Sequence, residues 1–263
     1  MPYPSWLPIL LGFLSALGPL STDMYLPAFP AIEASLGVPL GSAQITLATW
    51  FLGLAIGQLT QGVLADRFGR RVPLILGTAI YALANAGCAL APDLLWLSVF
   101  RFLAALGGSA SMVIPRAIVR DLAEGNAAAK LMSRLILVMG AAPILAPSLG
   151  SFLLGFAGWH VIFWVFTFYG AVCCVLVWAL LPDTLAPERR VKLRPGEMVA
   201  RYVQIARERR FFTHAMMGGM GMFAMFSFIG PKAASFMMSS AATTSSGIAT
   251  HMLIKPRPVG LGR

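Results

Sequence analysis

Long apolar runs without a charged side chain are the main pattern of this sequence. Crossing about 30 Å of hydrocarbon takes roughly 20 apolar residues in a helix, and the chain contains several runs of that length. The run from 135 to 182 is long enough for two helices, and Gly155 and Gly158 predict a turn near its middle. The pattern therefore predicts seven membrane-spanning helices, near residues 6–30, 41–64, 72–91, 94–115, 135–156, 161–181 and 211–230.

These segments predict an all-α membrane protein with a simple domain order. Residues 1–182 form an amino-terminal six-helix transmembrane bundle, and residues 183–210 form a polar cytoplasmic linker. Residues 211–231 form a seventh transmembrane helix. Residues 232–263 are rich in Ser and Thr and have no helical period, so we expect a disordered or frameshifted tail. A six-helix unit followed by a linker predicts a second six-helix half.

The composition excludes several soluble classes of protein. Hydrophobic residues make up 58% of the chain and charged residues only 11%, against roughly 25% charged residues in globular proteins. So few charges cannot cover a soluble globule, which excludes a cytosolic enzyme, a disordered regulator and a disulfide-stapled secreted module. Cys88, Cys173 and Cys174 lie in apolar runs without metal-ligand spacing, and we expect them to be small core residues.

Basic residues are concentrated in alternate loops. The loops after the second and fourth spans and the segment after the sixth hold most of the 20 Lys and Arg residues. The loops near residues 31–40, 92–93 and 157–160 hold none. This bias predicts a multi-pass protein with a cytoplasmic amino terminus. The basic residues thus orient the chain in the lipid bilayer, and we expect no nucleic-acid partner.

Among Asp, Glu, Lys and Arg, two side chains lie inside the predicted spans, where a charge costs a few kcal/mol or more. Asp23 lies about seven residues before the outer end of the first span, and Arg101 about seven residues inside the outer end of the fourth. At 1.5 Å per residue, both lie roughly 10 Å below the outer surface. We therefore expect the two side chains to meet, either as a proton-coupling pair or as an ion pair that only holds two helices together.

The string STDMYLPAFP, from Ser21 to Pro30, surrounds the predicted intramembrane carboxylate. Its two prolines, Pro27 and Pro30, weaken the helix at this point. Tyr25 offers an aromatic face and a hydroxyl group to a binding site. An aromatic residue near the membrane surface can equally belong to the interfacial belt, so both interpretations of Tyr25 are open.

The loop between the second and third spans reads GVLADRFGRR, from Gly62 to Arg71. Its glycines permit close helix packing and a tight turn, while Asp66 can pair with the arginines or cap the next helix. Basic residues by themselves are ordinary in a short cytoplasmic loop. The whole string is similar to the loop signature of the major facilitator superfamily, G-x-L-a-D-r-x-G-r-r, at every defined position. The resemblance implies a cytoplasmic gate formed by Gly62, Asp66, Arg67, Gly69, Arg70 and Arg71.

The fifth span is interrupted by prolines and small residues. Prolines free backbone carbonyls and small residues let a neighbouring helix approach, so either a flexing span at a moving interface or ordinary helix packing fits. The antiporter helix motif of the superfamily reads G-P-x-x-G-G, and two of its glycines are replaced in the run from Ala146 to Ser151. The motif positions that carry the resemblance are Gly140, Pro143, Pro147 and Gly150.

Several strings together resemble the drug:proton antiporters of the superfamily, in particular the bicyclomycin-resistance (Bcr/CflA) group. They are STDMYLPAFP, GVLADRFGRR, RFLAALGGSA, PRAIVRD and GAAPILAPSLG, and the resemblance covers residues 5 to about 230. It implies the six-helix amino-terminal half of a major facilitator fold plus a seventh helix. Because members have twelve spans, we expect the chain to be truncated or frameshifted near residue 231.

The resemblance implies proton-coupled multidrug efflux by alternating access in a bacterial inner membrane. The expected partners are protons and small hydrophobic or cationic drugs, with Asp23, Arg101 and Tyr25 as the proton-coupling and substrate-binding residues. Intact members are expected to be monomeric. A truncated chain is expected to transport weakly or not at all. The alternative is a non-transporting membrane fragment, or a half-transporter that acts only with a partner subunit.

Motifs of other chemistries are missing from the sequence. No G-x-x-x-x-G-K-[ST] string indicates an ATP-driven pump, and no H-E-x-x-H string indicates a metalloprotease. His160, His214 and His251 are isolated from one another. We therefore expect no enzyme, no cofactor and no metal site.

Overall fold

The structure, a computed structural model, describes residues 4, 6–185, 188, 190, 204, 207–209 and 211–221. The chain divides into two compact units, Met1–Leu193 and Arg194–Arg263. In the first unit the described residues form helices and contain no strand. In the second unit, residues 211–221 are helical.

Between residues 6 and 185 the structure describes seven α-helices and one 3₁₀ turn. In chain order they are α1 (Leu7–Asp23), the 3₁₀ turn (Leu26–Ala28), α2 (Phe29–Leu36), α3 (Gln44–Phe68), α4 (Arg71–Ala89), α5 (Leu94–Leu122), α6 (Gly125–Ala157) and α7 (His160–Leu180). Among the described residues, six stretches are long and apolar enough to cross a membrane, with Leu7–Leu36 counting as one. The prediction of an all-helical membrane protein is therefore confirmed.

The first six predicted spans are present in their predicted order. The predicted turn that splits the long run is also confirmed, because α6 ends at Ala157 and Gly158 turns the chain with φ of +77°. Of the predicted seventh span, only residues 211–221 are described, and the predicted tail lies outside the described residues. The linker boundaries at 183 and 210 remain predictions.

The connection between the fourth and fifth spans is shorter than predicted. The sequence pattern ends the fourth span at residue 115 and begins the fifth at 135, whereas α5 continues to Leu122 and α6 begins at Gly125. The difference has a simple cause. Counting charge-free residues finds only the part of a helix that lies in hydrocarbon, and charged turns that extend beyond the apolar layer are missed.

The first span is interrupted where α1 ends at Asp23. An unbroken helix would need the backbone N–H at position 27 as donor to the Asp23 carbonyl, and Pro27 has no N–H. A 3₁₀ turn follows, and the chain continues as α2 to Leu36, beyond the predicted end at residue 30. The break sets the intramembrane carboxylate at a helix end, where backbone groups are available to other partners.

Glycines let α5 pack closely against its neighbours. A Cβ added to Gly53 of α3 would lie 2.5 Å from the Phe102 carbonyl oxygen of α5, and a Cβ on Gly57 would meet Ser109. On the other side of α5, a Cβ on Gly77 of α4 would lie 2.5 Å from the Cβ of Ala110. Interhelical contact through small residues is the usual way in which membrane helices associate. It makes α5 the centre of the bundle, between α3 and α4.

Substitution of Gly77 by Ala should destabilise the bundle. The added methyl group would also lie 2.7 Å from the Gly107 carbonyl oxygen, so α4 and α5 must separate, at a cost of about 1–3 kcal/mol. The measurement is thermal unfolding of the purified protein in detergent. The matched control is Gly155→Ala in α6, where an added Cβ meets nothing within 4 Å. Equal melting temperatures for the two variants would contradict the packing described for Gly77.

Candidate functional site

Arg101 is completely buried in the bundle, with 0% of its surface exposed. It lies in α5, two turns from the start of the helix at Leu94. A buried guanidinium group needs compensation for the hydration that it loses. Arginine is unusual in that its planar faces can contact aromatic rings while its edge donates hydrogen bonds.

Aromatic rings lie close to the Arg101 guanidinium group. Its central carbon lies 4.3 Å from the ring centre of Tyr25 and 4.3 Å from that of Trp50. The ring of Phe163 is more distant, at 5.9 Å. Contacts of this kind are worth about 2 kcal/mol or more when the cation is desolvated. We refer to Arg101, Tyr25, Trp50 and Ser21 as the Arg101 site.

The edge of the guanidinium group is directed at the break in the first span. Both terminal nitrogens of Arg101 donate to the backbone carbonyl of Ser21, at 3.3 Å each. This carbonyl belongs to the last turn of α1, where carbonyl groups lack a full set of helical partners. Arg101 therefore joins α5 to the end of α1, two residues before Asp23.

The direct pair expected between Asp23 and Arg101 is wrong. Among the described residues, no ion pair within 4.0 Å includes Asp23. Arg101 does lie near the segment that contains Asp23, because it binds the backbone of Ser21, two residues earlier. Its other partners are the rings of Tyr25 and Trp50, and not the Asp23 carboxylate. The physical reason is that carbonyl and ring partners compensate the cation without a second buried charge, whose desolvation would add a further cost. Asp23 itself is partly exposed.

Hydrogen bonds fix the orientation of both rings. Thr46 donates its hydroxyl proton to the Ala43 carbonyl at 2.6 Å, so the Tyr25 hydroxyl must donate to Thr46, also at 2.6 Å. The indole N–H of Trp50 donates to the Thr22 hydroxyl at 3.2 Å. Tyr25 is fully buried, which excludes the alternative of an interfacial belt residue.

Tyr81 of α4 supports the backbone on which Arg101 depends. The Ser21 hydroxyl donates to the Leu17 carbonyl at 2.7 Å, so the Tyr81 hydroxyl is the donor in its 2.5 Å bond to Ser21. The Tyr81 ring packs against Gly108 of α5 and Gly170 of α7. Ser21 is thus held from two sides, by Tyr81 at its side chain and by Arg101 at its carbonyl.

Sequence reasoning did not single out Trp50, Thr46 or Tyr81 as site residues. Each lies in an apolar helix, where an aromatic residue or a threonine is ordinary. Only their convergence on Ser21 and Arg101 distinguishes them, and that depends on which helices are neighbours. A lone sequence carries no signal for it.

The predicted antiporter helix motif contacts this region at one residue. A Cβ on Gly150 of α6 would fall on the backbone of Met24, next to Asp23, so α6 packs directly on the break in the first span. Gly140 and Pro143 lie on an exposed surface of α6, and Pro147 is partly exposed. The role predicted for the motif as a unit remains a prediction.

A second cluster of charges lies at the other end of α5. Arg70 donates from its Nε to Asp121 at 2.8 Å and from a terminal nitrogen to Asp66 at 2.6 Å. Its backbone N–H donates to Asp183 at 2.9 Å, and Arg190 donates to the same carboxylate at 2.7 Å. We call these five residues the Arg70 cluster. It connects the loop between α3 and α4 with the ends of α5 and α7.

Arg70 is permanently charged in this setting. Burial lowers the pKa of its guanidinium group, but hydrogen bonds to Asp121 and Asp66 outweigh burial, so that the net pKa lies above its usual value. Gly69 has φ of +88°, and a Cβ at this position would fall on the Asp183 carboxylate. The tight turn expected at Gly69 is therefore present, and a side chain there would displace Asp183.

The other residues of the predicted gate motif have separate contacts. Gly62 packs α3 against Val113 of α5. Arg71 donates to the Trp178 carbonyl at 2.5 Å, and Arg67 lies over the Phe68 ring at 5.3 Å. Asp121 and Asp183 were not predicted as cluster members, because only the fold brings them to the motif.

The sequence matches the profile of the Major Facilitator Superfamily over residues 11–254. The chain belongs to this superfamily. The match continues beyond residue 231, where the family pattern was expected to stop. The predicted multi-pass membrane transporter is thereby confirmed at the level of the family.

Relatives and solved structures extend the match. The uncharacterized MFS-type transporter YdgK of Bacillus subtilis is 39% identical over 215 residues, 81% of this chain and 54% of the relative. A bicyclomycin resistance protein homolog of Haemophilus influenzae is 31% identical over 219 residues, 83% of this chain and 55% of the relative. The chain spans about half the length of the curated relatives it matches.

The fold is also that of major facilitator structures. The crystal structure of the human organic anion transporter MFSD10 (TETRAN) matches with a TM-score of 0.63 and 18% identity, over 80% of this chain and 60% of that one. At this identity the likeness shows the fold alone. It agrees with the prediction of a six-helix half of the superfamily fold.

Substitution of Asp121 by Asn should loosen the Arg70 cluster of this superfamily member. The side chains of Arg70 and Asp121 are only 8% and 18% exposed, and a hydrogen bond to a charged group contributes about 1.5–3 kcal/mol. We expect a lower melting temperature in detergent. Glu124→Gln is the matched control, since Glu124 is an exposed carboxylate just beyond the end of α5. If both variants melt alike, Asp121 does not stabilise the cluster.

Proposed function

We propose that this bundle is the proton-coupling half of a drug exporter that works by alternating access. The observation that carries the proposal is the fully buried Arg101, which holds the broken end of the first span beside Asp23. Intramembrane ionisable residues are costly and mark proton or substrate pathways. Membership of a transporter family supports the same interpretation.

Asp23 is the proposed proton carrier. Because Asp23 takes part in no ion pair among the described residues, its protonation breaks no salt bridge. It lies at a helix end that α6 contacts through Gly150, so movement of α6 changes the surroundings of the carboxylate. A carboxylate that faces the two aqueous sides in turn can take up a proton on one side and release it on the other.

Arg101 is the proposed fixed cation of the cycle. An arginine does not give up its proton in proteins, so it serves by position rather than by transfer. It holds the Ser21 carbonyl, and through it the position of Asp23, while the rings of Tyr25 and Trp50 compensate its charge. Tyr25 is the proposed link between this cation and substrate, through its aromatic face.

The proposed substrates are small hydrophobic or cationic drugs. The name of the Haemophilus influenzae relative points to drug resistance. Major facilitator transporters hold their substrates near the membrane midplane, between two halves that rock against each other. The bundle described here would form one wall of that cavity, and a second six-helix half would form the other.

We propose that the amino terminus and the Arg70 cluster face the cytoplasm of a bacterium, with the bundle in the inner membrane. The basic residues of the chain are concentrated in the loops on that side, as cytoplasmic loops are. The Arg70 cluster would then serve as the cytoplasmic gate, opened when the ion pairs of Arg70 with Asp66 and Asp121 break.

Substitution of Asp23 by Asn should abolish export driven by a proton gradient. The amide cannot carry the proton, yet it keeps the size of the carboxyl group. The measurement is ethidium accumulation in an efflux-deficient bacterial strain across an imposed pH gradient, with export by the unsubstituted chain as the reference. An unsubstituted chain that exports nothing contradicts the proposal for the chain alone and favours the half-transporter described below. Asp93→Asn is the matched control, because Asp93 caps α5 at the exposed end of the helix and Asn caps equally well. Gradient-driven export that survives Asp23→Asn contradicts the proposal.

Substitution of Arg101 by Lys should abolish export as well, although it keeps the charge. An ammonium group has no planar faces for Tyr25 and Trp50, and it reaches one acceptor at a time. The same ethidium assay applies, and the amount of protein in the membrane must be measured alongside. Full export by Arg101→Lys would show that a positive charge suffices and that the stacked geometry does not matter.

A half-transporter that needs a partner subunit is the second candidate. The chain spans about half the length of the relatives it matches, and the superfamily cavity is built from two halves. A chain that reaches the membrane, exports nothing alone and copurifies with a second membrane subunit would favour this candidate.

A further inference from the structure

Glu33 is a buried carboxylate that neither the gate nor the Arg101 site uses. It lies in α2, and only 4% of its surface is exposed. Its Oε1 accepts hydrogen bonds from the backbone N–H groups of Gly41 and Ala43, both at 2.9 Å. These amides immediately precede α3, which begins at Gln44. The carboxylate therefore binds the positive end of the α3 dipole.

We propose that Glu33 is a positioning residue for the Arg101 site. A continuous series of contacts connects the two. Glu33 holds Ala43 by its N–H, the Ala43 carbonyl accepts from the Thr46 hydroxyl at 2.6 Å, and Thr46 accepts from the Tyr25 hydroxyl at 2.6 Å. The Tyr25 ring then covers one face of Arg101.

The series forms a closed loop between two segments of the chain. Glu33 and Tyr25 both belong to the first span, and both hold the start of α3, at Ala43 and Thr46 respectively. Two residues that follow the break, Tyr25 and Glu33, thus hold the first turn of α3 by hydrogen bonds at two points. Because Trp50 comes one turn after Thr46, holding the start of α3 also positions the Trp50 ring beside Arg101.

A carboxylate suits this role better than a neutral side chain. One oxygen accepts two amide donors, and a charged acceptor makes these bonds shorter and stronger than neutral ones. The amides of Gly41 and Ala43 have no helical acceptors at the start of α3. Without Glu33 the turn before α3 would lose its anchor, and Tyr25 would lose a fixed partner. The inference rests on the proposed function only insofar as the Arg101 site is the coupling site.

Hydrogen–deuterium exchange of the purified full chain, followed by mass spectrometry, tests the proposal without transport. In Glu33→Ala, we expect peptides that cover residues 38–46 to exchange about tenfold faster, because two charge-assisted hydrogen bonds are lost. The proposal adds that residues 19–29 exchange faster as well, since Tyr25 and the end of α1 lose their support. Glu33→Gln keeps an acceptor oxygen, so most of the protection should return.

Thr46→Val cuts the same series at its next contact and provides an independent variant. It should speed exchange of residues 19–29, and Glu33→Ala added to it should have no further effect there. Thr60→Val is the matched control, because Thr60 lies on the same helix and bonds only to carbonyls within it. If Glu33→Ala misfolds, Glu33→Gln replaces it, because a neutral acceptor makes weaker bonds to the two amides. The smaller increase in exchange must then still appear at residues 19–29, and it must be absent there when Glu33→Gln is added to Thr46→Val.

Faster exchange confined to residues 38–46 would overturn the proposal, because Glu33 would then be a local cap. Additive effects of Glu33→Ala and Thr46→Val on residues 19–29 would also overturn it. The ethidium assay distinguishes failure of the positioning role of Glu33 from failure of the proposed function. If exchange is coupled but Asp23→Asn still exports, the positioning role stands and the proton-coupling function fails.

Discussion

The bundle depends on how one buried cation is compensated. Arg101 has no carboxylate partner among the described residues, yet it lies at the centre of a helical bundle that is built to exclude water. Its guanidinium group lies over the rings of Tyr25 and Trp50 and donates to a backbone carbonyl at the break in the first span. Since an uncompensated charge would be expensive there, the helices that supply these contacts cannot move independently of α5.

The Arg70 cluster and the Arg101 site both contain a buried arginine, but the partners of the two guanidinium groups differ. Arg70 is nearly buried, and two carboxylates pair with it, Asp121 with 18% and Asp66 with 50% of its side chain exposed. Because Asp66 is half exposed, water can replace it as a partner of Arg70 if the proposed gate opens. Arg101 is bound by two aromatic rings and a carbonyl, which carry no charge at neutral pH. Its partners would therefore stay uncharged while Asp23 gains or loses a proton, as proposed above.

The spans could be predicted from the sequence better than the partners of Arg70 and Arg101. Some features follow from local patterns in the sequence. The length of the apolar runs gives the helix order, Gly158 gives the turn after α6, and the spacing of four residues lets Asp66 pair with Arg70. The relative depth of Asp23 and Arg101 also follows from counting residues. The partner of Arg101 does not, because depth fixes height in the bundle but not rotation about the helix axis. The roles of Asp183 and Trp50 could not be predicted from the sequence for the same reason. Asp183 joins the Arg70 cluster, and Trp50 the Arg101 site, only through tertiary packing.

α3 and α5 carry both clusters, and this has a mechanical consequence. Arg101 and Asp121 are separated by about 30 Å along α5, as the rise per residue requires, and Trp50 and Asp66 lie correspondingly along α3. Glycines at 53 and 57 bring the two helices into backbone contact between the clusters. Closely packed helices are hardly compressible, so a displacement of one end of α3 or α5 is transmitted along the pair. A change in the pairing of Arg70 at one end would then displace the rings around Arg101, so the proposed gate and the proposed coupling site would move together.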